Sequence, residues 1–188
     1  WGWSTALVLL AAISLVMIPL SLILPNDPSE STDNLANQTM SEALREAATH
    51  SGFVLLTVGF FVCGFHVAFI TVHFPAYVVD LGLEPRVAGY SIALIGLFNI
   101  AGSLLSGMAG QRWSKKLGLS SIYFVRALVI LGLLLAPKSE ASIYLFSAAM
   151  GVLWLSTVPL TTGIVAQVFG VRYMATLFGI VFLSHQIG

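Results

Sequence analysis

The chain has 188 residues, 57% of them hydrophobic and 9% charged, against about a quarter charged in an ordinary soluble domain. Eight basic residues balance eight acidic ones, so no basic surface points to nucleic acid, and a single cysteine, Cys63, excludes an internal disulfide. This is the composition of a chain dissolved in a lipid bilayer.

A helix needs about 20 apolar residues to cross hydrocarbon, and six segments meet or approach that length: roughly 3–25, 53–79, 87–110, 119–137, 142–165 and 174–188. The first has no Lys or Arg before its apolar core and no small-residue cleavage site, so it reads as a span rather than a signal peptide. The last is cut short. With Trp1 at one end and Gly188 inside an apolar run at the other, the sequence reads as a piece of a longer chain. Open strands cannot span lipid because their edge groups go unpaired, and the alternation of a barrel is absent, so the fold class expected is an all-α membrane protein.

Between the first two spans lies a polar, acidic stretch, residues 26–50, rich in turn formers. Its tail, Ser41 to Ala48, reads as a brief helix with Glu42, Arg45 and Glu46 on its polar side, a linker helix lying on the membrane surface. Lys and Arg are biased to one set of loops, Arg45, Arg112, Lys115, Lys116 and Arg172, against Arg86 and Lys138 on the other, which places the long loop and the QRWSKK loop in the cytoplasm.

Polar residues inside spans face protein or water and mark pathways. His66 and His73 are seven residues apart, on one helix face and about 10 Å apart along the axis. Cys63 and Tyr77 continue their stripe, and Pro75 leaves the Thr71 carbonyl without its usual partner. Two readings stand: the histidines line a pathway, or each bonds a neighbouring helix. Metal binding is disfavoured, because two rings so spaced do not share one ion. In the fifth span Trp154, Thr157 and Thr161 fall on one face around Pro159, with Trp154 either lining a pocket or packing in the bundle. Thr162 is expected to bond its own backbone near that proline. In the third span Gly102, Ser106 and Gly110 form a small-residue stripe for close helix approach, and Asn99, one turn earlier, reads first as an interhelical hydrogen bond. Arg126 lies about 9 Å into its span, where a structural role, snorkelling toward the head groups, is preferred over a partner for an anion.

The loop GMAGQRWSKK resembles the cytoplasmic signature of the major facilitator superfamily. Gly107, Arg112, Lys115 and Lys116 stand at matching places, while Gln111 replaces the signature's aspartate and Ser114 its second glycine. The stretches HFPAYVVDLGLEP, GLFNIAGSLLSG and FGIVFLSHQIG look most like the monocarboxylate and oxalate–formate branch. The resemblance implies part of a twelve-helix bundle: residues 1–25 as the last helix of an N-terminal half, 26–50 as the central linker and 51–188 as an incomplete C-terminal bundle. It also implies alternating access around a site near mid-membrane. By that mapping the substrate-binding candidates are His66, His73, Asn99, Trp154, Thr157, Thr161 and His185, with Gly107, Arg112, Lys115 and Lys116 as the loop signature.

The function expected is secondary transport of a small organic solute, an organic anion such as a monocarboxylate, with proton coupling open to the histidines near neutral pH. The partners expected are that solute, coupled protons and the lipid bilayer, with no nucleic acid. The unit expected is a monomer completed by the N-terminal half, in the plasma (inner) membrane. No cofactor and no metal are expected. An integral membrane enzyme and a non-transporting sensor with a transporter fold are the alternatives. The enzyme would need a nucleophile, metal set or paired acid that the sequence does not supply.

Overall fold

A computed structural model describes residues 38–188. The first expected span and most of the linker therefore lie outside the described residues. Seven helices follow: α1 Met40–Thr49, α2 Ser51–Asp80, α3 Pro85–Arg112, α4 Lys115–Leu135, α5 Glu140–Leu153, α6 Thr157–Phe169 and α7 Met174–Ile187. No strand occurs among the described residues. The fold is all-helical, as composition requires.

Four stretches are long and apolar enough to cross a bilayer: Ser51–Asp80, Pro85–Arg112, Lys115–Leu135 and Glu140–Phe169. The shorter Met174–Ile187 is apolar as well. These are the second to sixth spans expected from the sequence, with one correction. The fifth is not continuous. It divides at Trp154–Leu155–Ser156 into α5 and α6, two helices end to end.

Local chemistry sets the ends. Thr39 caps α1 through a capping box with Glu42, two residues before the Ser41 expected to open it. His50 closes α1 and opens α2, its Nδ1 accepting from the Phe53 N–H at 3.3 Å. Gly82, at φ 79°, makes the turn from α2 to α3, and Gly170, at φ 73°, stops α6; both conformations favour glycine. Ser114, where the family signature has a glycine, caps α4 by accepting from the Leu117 N–H.

Two apolar clusters hold the bundle. One joins α2, α3 and α5 through Ile70, Phe74, Val87, Ile95, Phe146 and Met150. The other joins α1, α2, α6 and α7 through Ala47, Phe53, Phe60, Val165, Leu177 and Val181. Because Ala47 is buried there and the Tyr173 hydroxyl donates to the Gln38 carbonyl at 2.6 Å, α1 is docked on the bundle. Backbones approach most closely where side chains are missing. A methyl on Gly102 would meet the Val152 carbonyl oxygen, and one on Gly64 the His185 carbonyl oxygen. The small-residue stripe of α3 thus packs on α5 and α6, as its spacing predicts.

Candidate functional site

Between the two apolar clusters lies a band of polar side chains, and the α5–α6 joint is its centre. Pro159 explains why α6 must start afresh. Its ring clashes with a helical carbonyl at Leu155, and it has no N–H to give. At the third position of α6 that missing donor costs nothing, since first-turn N–H groups have no intrahelical partner. The Leu155 carbonyl is taken instead by the Val158 N–H at 3.0 Å. Around the joint four carbonyls and one N–H turn to side chains in an apolar interior, where each would cost several kcal/mol if left unpaired.

Every one of them finds a side chain. Ser156 bonds back to the Val152 carbonyl. Arg126 of α4 donates from Nη2 to the carbonyls of Leu153, at 2.6 Å, and Trp154, at 2.9 Å. The Leu155 N–H donates to Asn99 Oδ1 of α3 at 3.0 Å, and the Ser106 hydroxyl of α3 reaches the Ser156 carbonyl. Two neighbouring helices, α3 and α4, thus converge on one interruption.

Arg126 is 1% exposed, so it does not snorkel as the sequence suggested. Its Nη1 donates to Cys63 Sγ at 3.2 Å, and its guanidinium carbon lies 5.6 Å from the Tyr123 ring centroid. No carboxylate pairs with it; Arg86–Glu84 is the one ion pair among the described residues. The carbonyl end of α5 supplies partial negative charge in place of a counter-ion. Cys63 in turn lies 3.7 Å from the Thr157 hydroxyl. Four buried polar atoms here have no partner: Arg126 Nε, Thr161 Oγ1, His66 Nδ1 and His185 Nδ1.

Beside this band runs a cleft of about 420 Å³ between α2, α4 and α5. Its walls are apolar, Phe69, Ile130 and Phe146 among them, and His66, His73 and Tyr77 line it along α2. His66 stands at one end of that row. At the other end Lys138 donates to the Tyr77 hydroxyl at 3.2 Å. The cleft therefore has two imidazoles and a phenol along α2, with the Lys138 ammonium bonded to that phenol.

The candidates named from the sequence divide accordingly. His66 and His73 share the cleft; His73 is exposed, 4.8 Å from the Phe69 ring. Thr157 and Thr161 are fully buried in the polar band, while Trp154, set off by the joint, packs against the α2–α3–α5 cluster. The break explains why the three do not form one face. Asn99 is committed to the joint, and the His185 ring is stacked on Phe182, 5.5 Å away. Thr162 bonds the Val158 carbonyl at 2.9 Å, as expected near a proline. Gly107 and Arg112 lie on α3 and Lys115 and Lys116 on α4. The Lys115 chain lies over Gly163, where an added methyl would meet it at 2.8 Å, and Lys116 lines a second cleft with His50 and Tyr123. Sequence reasoning missed Cys63, Ser106, Ser156 and Tyr123 as members of the band. For Ser156 the available signal was a pair of small hydroxyls, Ser156 and Thr157, just before Pro159.

An all-helical membrane bundle built around a broken helix, with polar groups gathered at the break, is the construction of a membrane transporter. The Major Facilitator Superfamily profile matches residues 1–188, and the chain belongs to that family. It is thus an integral, multi-pass membrane protein of a family of secondary transporters. Neither the comparison with curated proteins nor that with solved structures gives a match.

Proposed function

We propose that the protein moves a small organic anion, such as a monocarboxylate, across the plasma membrane by alternating access. The observation that carries this reading is Arg126, a buried guanidinium with no carboxylate partner among the described residues, in a bundle that also holds an apolar cleft lined by His66 and His73. An uncompensated cation inside hydrocarbon is costly and is kept where it serves a pathway. Its positive charge, together with that of Lys138 on the cleft-lining Tyr77, favours a negatively charged solute. The apolar walls suit the organic part of that solute, and the imidazoles of His66 and His73 supply hydrogen-bonding groups along the cleft.

The test is uptake of radiolabelled carboxylates into proteoliposomes containing the full-length protein. Saturable uptake of a small monocarboxylate, but not of its neutral amide, is the expected result. His73→Ala should lower that uptake at least several-fold with expression unchanged, and His50→Ala should leave it within about twofold. Uptake of sugars or amines but of no carboxylate would overturn the anion reading. A protein that moves none of them is a sensor rather than a carrier.

A further inference from the structure

Arg126 carries two jobs that compete for the same nitrogen. Arginine has five N–H groups. Both N–H groups of Nη2 are spent on the Leu153 and Trp154 carbonyls, one of Nη1 goes to Cys63 Sγ, and Nε has no partner. A carboxylate binds a guanidinium best through two parallel N–H bonds. There are two such edges, Nη1 with Nη2 and Nε with Nη2, and both contain Nη2. A carboxylate can therefore take the fork only by displacing at least one carbonyl of the joint.

We propose that Arg126 is a carboxylate-operated latch on the α5–α6 joint: the entering carboxylate exchanges with the Leu153 or Trp154 carbonyl on Nη2, and the joint is freed as the ligand binds. This rests on the organic-anion reading above and adds to it the residue that reads the carboxylate and the element that responds. Spare polar capacity is present in the same bundle: Arg126 Nε, Thr161 Oγ1, His66 Nδ1 and His185 Nδ1 are all buried without a partner, and His66 also lines the cleft. The remaining contacts on the joint, from Asn99 and Ser106 of α3, do not involve the guanidinium. They keep α6 seated on α3 while the end of α5 is released. Ligand affinity and joint opening are then one equilibrium, and each must shift the other by the same factor.

The experiment uses the full-length protein in proteoliposomes or nanodiscs, with formate, acetate and lactate as probes and lactamide as the uncharged control. Two readouts are taken: carboxylate uptake and amide hydrogen exchange of segment 150–158. In wild type, saturating carboxylate should speed exchange in that segment at least threefold, and lactamide should not. Arg126→Gln, which keeps donors but no charge and no fork, should show fast exchange without ligand, no ligand response and at least tenfold lower uptake. Arg126→Lys, which keeps the charge but cannot fork, should raise KM at least tenfold with a smaller change in kcat. If the carboxylates are carried but slow the exchange or leave it unchanged in wild type, the latch is overturned, whatever the variants do. Uptake by Arg126→Gln within twofold of wild type overturns it too, and leaves the organic-anion reading in place. No uptake of any probe by wild type, with sugars or amines carried instead, overturns that reading and the latch with it.

Discussion

Pro75 and Pro159 both stand inside long apolar stretches, yet α2 runs through the first as one helix of 30 residues while the second has α5 and α6 separated before it. The proline chemistry is the same at both places: a lost donor and a crowded carbonyl four residues back. What differs is the neighbourhood. Around Pro75 the helix meets an apolar cluster, Ile70, Phe74 and Val78, which offers nothing to bond a freed backbone group. Staying helical keeps all but one of the ladder bonds there. Around Pro159 the helices α3 and α4 present Asn99, Ser106 and Arg126, which between them satisfy an opened backbone. A helix breaks in an apolar interior where its neighbours can satisfy what the break exposes.

The largest way to break this comparison is to remove the supplier. Arg126→Leu leaves two carbonyls of the joint without donors, at about 1–3 kcal/mol each, so a loss of about 2–6 kcal/mol is expected. Replacing a buried charge by an apolar side chain is often harmless when both partners go. Here the carbonyls stay behind, and for that reason the loss should be large. Thermal unfolding of the full-length protein in detergent measures it, and a variant as stable as wild type would show that the joint does not depend on α4.

Asn99→Leu should cost less, about 1–3 kcal/mol, because it orphans only the Leu155 N–H. Its exchange signature is local: the Leu155 amide should be freed, while segments of α2 around Pro75 stay as they were. Equal changes at both places would mean that Asn99 acts on the bundle generally and not on the break.

The proline pair is the direct contrast. Pro159→Ala restores a donor and relieves the clash, so α5 and α6 can join, and exchange at 154–159 should slow about tenfold at a stability gain on the order of 1 kcal/mol. Pro75→Ala acts on a helix already continuous and should alter exchange near Thr71 by less than about twofold. A joint that stays open in Pro159→Ala would show that Arg126, Asn99 and Ser106 alone set the break, with the proline incidental.

How much of this was legible beforehand follows from the same physics. The spans were, because twenty apolar residues in a row have one reading in a membrane. The stripe of Gly102, Ser106 and Gly110 was too, since close approach needs small residues at that spacing. The joint was not. Leu153, Trp154 and Leu155 are as apolar as the turns around them, and the partners of Arg126 are main-chain carbonyls, which have no letter in the sequence. Arg126 was recognisable as out of place in its span, and the missing carboxylate was visible, but the head groups were the wrong destination for its side chain. His66 and His73 were placed on one face correctly by their spacing. Which cleft they line depends on α4 and α5, which no local pattern reveals.

The smallest effect is expected where the same backbone problem is solved in water. The first turn of α1 is capped by Thr39, whose N–H and hydroxyl donate to the Glu42 carboxylate at 2.7 and 2.9 Å. The main-chain bond first, and the hydroxyl second, hold its pKa below the ordinary 4.5. A carboxyl group with a depressed folded pKa contributes stability that is full above its unfolded value and lost as pH falls through the folded one. Docking of α1 should therefore be constant from neutral pH down to about 4.5 and weaken below it. Glu42→Gln should flatten that dependence, and Thr39→Ala should move the Glu42 titration, followed by carbon-13 NMR of the side chain, back up toward 4.5. Because this carboxylate is fully exposed, water takes over most of what it loses, and the effect on whole-protein unfolding should be too small to resolve. Arg126 satisfies two backbone carbonyls and Glu42 one backbone N–H, so hydrogen-bond count alone would make the two substitutions differ by about a factor of two. A much larger ratio, with Arg126→Leu unfolding the bundle and Glu42→Gln leaving it untouched, would show that the missing water decides the cost of an orphaned backbone group.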